Sequence, residues 1–382
     1  MTESIKREKT GSGRLWILGP KRDLLLFILT PAALLPALAF SQRMAPETLA
    51  TYVLGFGGFG HHLPGFIRAY CDPGLFRRFR FRFTLVPAAL IATAALFAFL
   101  NLNALVFATV VWGIWHGAMQ VSGFLRIYDS KVGSFDKVTA ELDRLMCLLW
   151  FGLAVVHSPE KLIALLTPFY TAGGPLLGSE GLFWLGRLWD VATVCVSGFF
   201  LANAWRRWRA GAPPSPVKLM AMAAAFAYWW FCMLFAPSLL IGVLLWEIFH
   251  DIQYNVLVWL YQRRRVDANL GASRFEKLLF RPGMMGLLIY AGLILVYGAV
   301  GVATSYSDLD LPEKILGHGL MPWLLRLTVV SALLHFYYDG FIWRMRDPET
   351  RRGLTLNAVS PSGAGTVGTA GTAGAGSALA MG

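Results

Sequence analysis

Charge is what this sequence has least of. Only 15% of its residues are Asp, Glu, Lys or Arg, where a soluble domain carries about a quarter. Four cysteines occur, with no CxxC pair, so neither a disulfide scaffold nor a thiolate zinc site is expected. No P-loop is present, and the two GxGxxG matches, Gly55–Gly60 and Gly363–Gly368, do not sit between a strand and a helix, so neither reads as a nucleotide site. A nucleophile elbow for Ser-His-Asp hydrolysis is missing as well. What the chain does have is apolar bulk. Hydrophobic residues make up 56% of 382, aromatics 14%, and mean hydropathy is +0.54, which excludes disorder for most of the length.

Apolar runs long enough for a bilayer crossing, about 20 residues, recur ten times: Leu24–Phe40, Leu49–Ile67, Phe83–Leu100, Ala104–Leu125, Leu145–His157, Trp184–Trp205, Leu219–Ala236, Leu239–Tyr261, Met285–Thr304 and Leu320–Trp343. The fifth is short, and an earlier start near Val138 would bury Glu141 and Asp143. Between the fifth and sixth, Lys161–Gly178 is broken by Pro168, Gly173, Gly174 and Pro175 and reads as an interfacial or re-entrant loop. The expected fold is an all-α, polytopic integral membrane protein of about ten spans. Its parts are a basic N-terminal segment at 1–22, one helical membrane domain at 23–346 and a tail at 347–382, disordered and rich in Gly, Ala, Ser and Thr from 360.

The net charge of +12 follows the same pattern. Lys and Arg gather before the first run and after each even one, as in Arg77-Arg78, Arg206-Arg207 and Arg263-Arg264-Arg265. That is the positive-inside distribution, with both termini cytoplasmic. It explains the basic balance without nucleic acid and makes the Arg clusters topology determinants. The lipid bilayer is the expected partner; oligomeric state is left open.

A short echo marks the inner ends of two runs. Gly65-Phe66-Ile67-Arg68-Ala69-Tyr70 matches Gly123-Phe124-Leu125-Arg126-Ile127-Tyr128, each followed by an acid, Asp72 or Asp129. Shared helix-end chemistry and a repeated functional hairpin both fit, with Arg68 and Arg126 at the headgroups in the first case.

Five of the seven histidines lie inside apolar runs. His61 and His62 are on the second run, His116 on the fourth, His250 on the eighth and His335 on the tenth. Counted from the first inner Arg of each helix, they fall about 10–20 Å deep at 1.5 Å per residue. His157 and His318 sit at outer ends and read as interfacial. Carboxylates and phenols share the faces of the buried imidazoles. Glu247, His250, Asp251 and Tyr254 follow at i, i+3, i+4 and i+7, and His335 and Asp339 at i and i+4, with Tyr338 beside them. His116 and Gln120 share a face, while adjacent His61 and His62 point about 100° apart, so one of them is expected to face the centre. Gly57 and Gly58 one turn earlier imply a close neighbouring helix.

Ionisable groups at membrane depth mark function, and three chemistries fit. Imidazole with carboxylate and no thiolate suits iron, manganese or zinc. Paired histidines could ligate a haem or related pigment. The same groups could line a proton or ion path.

This layout, one histidine layer spread over several helices, resembles the polytopic His-rich membrane enzymes that use non-haem iron on lipids, and within them the bacterial Brp/Blh-type carotene dioxygenases, whose intramembrane histidines hold iron. The HxxxH and HxxHH boxes of desaturases and hydroxylases are absent. The resemblance implies a metal-dependent oxidoreductase using iron and O2 on a lipophilic small molecule, in the inner membrane of a bacterium. His61, His62, His116, His250 and His335 are then the metal-ligand set, with Glu247 and Asp339 as ligands or acceptors from imidazole. Glu247, Tyr254 and Asp339 are the candidate catalytic groups, and Tyr254 and Tyr338 outer hydrogen-bond donors.

The charge pattern makes one direct prediction. Reporter fusions at Gly211 and Asp308 should report opposite sides of the membrane; the same side for both would overturn the span count.

Overall fold

The computed structural model describes residues 15–34, 43–100, 102–305, 313–345 and 347–355, and no strand occurs among them. In chain order the helices are α1 (Pro20–Asp23), α2 (Thr30–Ala33), α3 (Pro46–Tyr52), α4 (His62–Cys71), α5 (Pro73–Arg78), α6 (Arg80–Leu100), α7 (Leu102–Lys131), α8 (Lys137–Val156), α9 (Pro159–Thr171), α10 (Ser179–Arg209), α11 (Pro216–Phe235), α12 (Leu239–Asp267), α13 (Arg274–Leu279), α14 (Met284–Ser305), α15 (Glu313–Ile342) and α16 (Pro348–Thr355). Two π-helical stretches, Leu24–Ile28 and Val53–Phe59, interrupt the first and second apolar runs.

Most helix starts are written in the sequence. Asp72 accepts from the amides of Gly74 and Leu75 ahead of Pro73, Ser215 caps α11, Ser238 caps α12, and Ser273 with Glu276 forms a capping box on α13. Asp136 caps α8 and takes both the amide and the hydroxyl of Thr139 at 2.8 Å. Those bonds to the charged form hold its carboxyl below the usual range.

Five described helices are long and apolar enough to cross a membrane: Arg80–Phe97, Asn103–Lys131, Ser179–Arg209, Pro216–Phe235 and Met284–Ala303. This is half the expected ten, and the shortfall has physical causes. The second run is divided by its π-helical stretch. Helix α8 carries Lys137, Glu141, Asp143 and Arg144. Helix α12 loses hydropathy to its own polar face. Of the tenth run, the side chains up to residue 327 lie outside the described set, as do residues 35–42 of the first. The five that qualify support membrane association. Their outward residues agree, with Leu188, Val194, Phe235 and Val296 all more than two-thirds exposed. An apolar exterior this extensive is unfavourable in water and at home in lipid.

The stretch expected as a loop at Lys161–Gly178 instead lies largely in α9, which runs through Pro168 to Thr171; only 172–178 is non-helical. Asp143 is buried, as an early start of the fifth run implies, but Glu141 is exposed and pairs with Arg144 at 2.6 Å. Helix α16, within the stretch read as tail, packs Thr350 and Leu354 into the body. The low-complexity segment from Ser360 lies outside the described residues, as does Ser307–Asp310. His157 bonds Asp190 at 2.6 Å at an exposed position; the His318 side chain is not among those described.

The core divides around α12 and α15. One large cluster joins α7, α8, α11 and α12, with Phe151, Trp229 and Trp246 at its centre. Smaller ones join α4, α6 and α15, and α4, α13 and α14. The Gly55–Gly60 motif is a packing strip. A Cβ on Gly55 would lie 2.8 Å from the Val302 amide nitrogen, and Cβ atoms on Gly298 and Gly301 would strike Phe56 and Phe59. Small residues facing each other let α14 approach the π-helical stretch at backbone distance.

Arg68, read as a headgroup residue, and two cations that follow even-numbered runs are buried instead. Arg68 lies between the rings of Tyr261 and Trp343, its carbon 3.9 Å from each centroid, and donates to Thr350 Oγ1 at 3.0 Å. Lys218 sits between Asp129 at 3.0 Å and Asp143 at 2.6 Å. Arg265 sits between Asp72 at 3.0 Å and Glu276 at 2.9 Å. The acids that follow the two sequence echoes are thus each half of a buried ion pair. Removing one partner of such a pair costs about 3–5 kcal/mol, because the other charge stays behind. Lys218→Ala should lower the unfolding midpoint by that order and lose more than Arg144→Ala, whose pair is at the surface; equal effects would contradict this account.

Candidate metal centre

Four segments bring the polar groups together: the turn from the π-helical stretch into α4, and helices α7, α12 and α15. All five imidazoles are buried, at 0–5% exposure. Ring centroids of neighbours lie 4.5 Å apart for His61–His335, 4.6 Å for His62–His335, 4.8 Å for His116–His335, and 5.1 Å for both His61–His250 and His116–His250. Helix α15 places His335 at the hub.

Both His61 and His62 belong to this cluster, where regular helical geometry predicts one. The reason is the turn between the two helix types. The π-helical stretch ends at Phe59, His61 lies in the turn that caps α4 and His62 opens the helix, so their rings flank His335 at a mutual distance of 4.7 Å. Gly57 and Gly58 make the neighbouring helix possible. A Cβ on Gly57 would sit 2.3 Å from Asp251 Oδ2, and one on Gly58 would be 3.4 Å from Glu247 Oε1. On the other side of the turn, a Cβ on Gly65 would be 2.7 Å from the Tyr254 hydroxyl.

The ligand atoms converge as well as the rings. His61 Nε2 and His335 Nε2 are 3.0 Å apart. Two nitrogens bound at right angles to one ion, each at about 2.1 Å, stand at this separation. Asp339 Oδ2 faces the same point, 3.8 Å from His335 Nε2 and 3.9 Å from His116 Nε2. Three groups are geometrically able to hold a cation: His61, His62 and His335; His116, His250 and His335; and His61, Glu247, His250 and Asp251, with ligand atoms within 4.8 Å inside each. His116 Nε2, His250 Nδ1 and His335 Nδ1 are buried with no hydrogen-bond partner. Buried polar atoms are ordinarily paired, and a cation within the cluster would satisfy such nitrogens; His335 Nδ1 lies on the Gly65 side, away from the Nε2 that meets His61.

Around this core, partners fix the rings. Asp251 Oδ1 lies 2.7 Å from His61 Nδ1, and Glu247 Oε1 lies 3.9 Å from the same nitrogen. A carboxylate behind the non-ligating nitrogen orients an imidazole and raises its basicity. His62 Nδ1 pairs with Ser331 Oγ at 2.9 Å, and Tyr297 bonds the same hydroxyl at 3.0 Å. Tyr254 and the Trp343 indole donate to Asp339 Oδ1 at 3.0 and 3.1 Å. Gln120, the counterpart of His62 in the echo, donates to the His250 carbonyl at 3.0 Å.

Tyr254 thus lies where an outer donor was expected, but Tyr338 does not. One residue before Asp339 on the same helix, it points away, bonds the Tyr70 hydroxyl and packs on Phe66 and Phe83. Sequence reasoning left Ser331, Tyr297 and Trp343 unnamed, and it did not pair Asp251 with His61. Asp251 alone carried a signal, its i+4 spacing from Glu247.

Two cavities reach the cluster from opposite ends. One of 440 Å³ is lined by Arg126, Tyr254, Asp339 and Trp343, and one of 280 Å³ by Gly58, His62, Trp246, Glu247 and His250; His116 and Phe336 border both. No protein-family model, curated protein or solved structure matches the chain.

The close approach of α12 to the turn gives a direct test. Gly57→Val places branched carbon where Asp251 now sits, and overpacking of this kind costs about 1–3 kcal/mol. Denaturation of the variant in detergent should show that loss, and an unchanged midpoint would mean that the two segments are not in contact.

Proposed function

We propose that the chain is an integral membrane, metal-dependent oxidoreductase or oxygenase acting on a lipophilic substrate at the His/carboxylate cluster, in a ten-span topology with both termini cytoplasmic. The observation that carries this reading is the gathering of five buried imidazoles from four segments, with His61 Nε2 and His335 Nε2 3.0 Å apart and His335 shared by two of the three groups able to hold a cation. The donor set of imidazole and carboxylate suits iron first, with manganese and zinc as substitutes. Such an ion, when bound, supplies redox or Lewis-acid chemistry. The chain's own residues hold and orient it: His250 and His62 complete the ligand set, Asp251 and Glu247 fix His61, and Tyr254 and Trp343 fix Asp339. The apolar lining of the 280 Å³ cavity favours a substrate drawn from the bilayer.

A second reading, a proton- or ion-coupled transporter, has its own support in the two cavities that meet at His116. Haem ligation has less, because the imidazoles pack against one another at 4.5–5.1 Å and leave no slot for a macrocycle between them.

Elemental analysis with an optical spectrum separates the three. The enzyme reading expects about one or two iron, manganese or zinc ions per chain and no Soret band. His335→Ala, which touches two of the three ligand groups, should abolish binding. Asp251→Asn and Glu247→Gln should each weaken it about 10–100-fold, the usual cost of losing a partner behind a ligand. Wild-type stoichiometry in both Glu247→Gln and His250→Ala would end the metal assignment and put the ion path ahead.

A further inference from the structure

A third cavity, of 690 Å³, lies between α6, α7 and α15 on the side away from α12. Its wall is aromatic and aliphatic: Phe107, Val111, Trp112 and Trp115 on α7, then Phe336 and Phe341 on α15. The α7 face beside it is outward-facing, with Val111 and Trp115 about 40% exposed, and α7 is one of the membrane-length helices. The groove therefore opens sideways, towards the apolar medium and not towards water.

Its two ends differ. Arg82, from the start of α6, and Arg344, from just beyond α15, both line one end. Arg82 is exposed, lies over the Phe341 ring at 4.9 Å and makes no ion pair among the described residues. No carboxylate lines this cavity. Apolar walls ending in two guanidinium groups match a molecule with a long hydrocarbon chain and an anionic oxygen head.

The groove also meets the cluster. Phe336 lines all three cavities, and its ring lies 4.8 Å from that of His116, tilted by 30°. From Arg344 back to Phe336 is eight residues of helix, about 12 Å. An extended chain of single bonds gains about 1.2 Å per bond, so roughly ten bonds separate the head from the level of Phe336.

We propose that this groove binds a long-chain carboxylate from the bilayer, with its head on Arg82 and Arg344 and its mid-chain carbons beside Phe336, which separates them from His116. As a binding site the groove stands by itself; that its occupant is the substrate rests on the metal-centre reading above.

The test uses the purified full chain in detergent with palmitate carrying a mid-chain diazirine, and the methyl ester of the same probe as the uncharged control. After irradiation, adducts from the acid should map to peptides that contain Trp112, Trp115 and Phe336. Arg82→Glu with Arg344→Glu should reduce them at least tenfold, and the milder Arg82→Gln severalfold. The ester should label these peptides severalfold less than the acid. Adducts located elsewhere, equal labelling by acid and ester, or labelling unchanged by the double substitution would each overturn the proposal. Metal content measured on the same samples keeps the two ideas apart. Labelled protein free of metal would sink the metal centre and leave the groove, whereas metal-loaded protein with no adducts in these peptides would sink the groove alone.

Discussion

An ionisable side chain moved from water into an apolar interior loses solvation worth several kcal/mol, and only close partners restore it. The rest of this structure depends on that constraint. Arg68, Lys218, Arg265, Asp143 and five histidines are all nearly inaccessible, while leucine, valine and phenylalanine cover much of the outside. The cations have found their compensation. Arg68 has two aromatic faces and a hydroxyl, and Lys218 and Arg265 each have two carboxylates. The histidine cluster adds three unpaired imidazole nitrogens, His116 Nε2, His250 Nδ1 and His335 Nδ1, to the guanidinium and carboxylate atoms of Arg68, Arg265 and Asp143 that also lack a hydrogen bond. The proposed cation would give those three nitrogens a partner.

The glycines follow from the same constraint. For carboxylates on α12 to reach the imidazoles at the start of α4, the two backbones must come close enough that a single Cβ at Gly57 would overlap Asp251. Gly58 and Gly65 give the same freedom to Glu247 and Tyr254. Helix α14 in turn presses on Gly55 through Gly298 and Gly301, and this fixes the π-helical stretch from behind. The widened helix has a consequence for chemistry. The turn at Gly60-His61, between the π-helical stretch and α4, lets two adjacent residues present their rings to the same His335.

What could be read from the sequence followed from periodicity and from cost. Apolar runs place the helices, since their lengths and caps are local properties. Imidazoles at one depth place the cluster, since an isolated ionisable group in such a run is too costly to be incidental. What could not be read depends on register between distant segments. Nothing local to Ser331 or Tyr297 says that they meet His62, and nothing in Trp343 says that it bonds Asp339. The π-helical stretch was invisible for a related reason: it packs closely against α14, a contact that nothing local to its residues announces. Arg68 was misplaced at the headgroups because a positive-inside count treats every arginine near a helix end alike, whereas burial depends on whether aromatic faces such as Tyr261 and Trp343 are waiting.

Phe336 connects the two halves of the reading. Its ring is a wall of the cavity that reaches Asp339 and Tyr254, of the one that reaches Glu247 and His250, and of the groove that opens sideways on α7. It lies tilted against His116, whose Nε2 is buried and lacks a hydrogen-bond partner. Gly113, one turn before Gly117 on α7, leaves room for it, since a Cβ there would already touch the ring at 3.5 Å. Phe336, held among Trp112, His116 and His335, is thus the side chain at which the proposed groove and the imidazole layer meet.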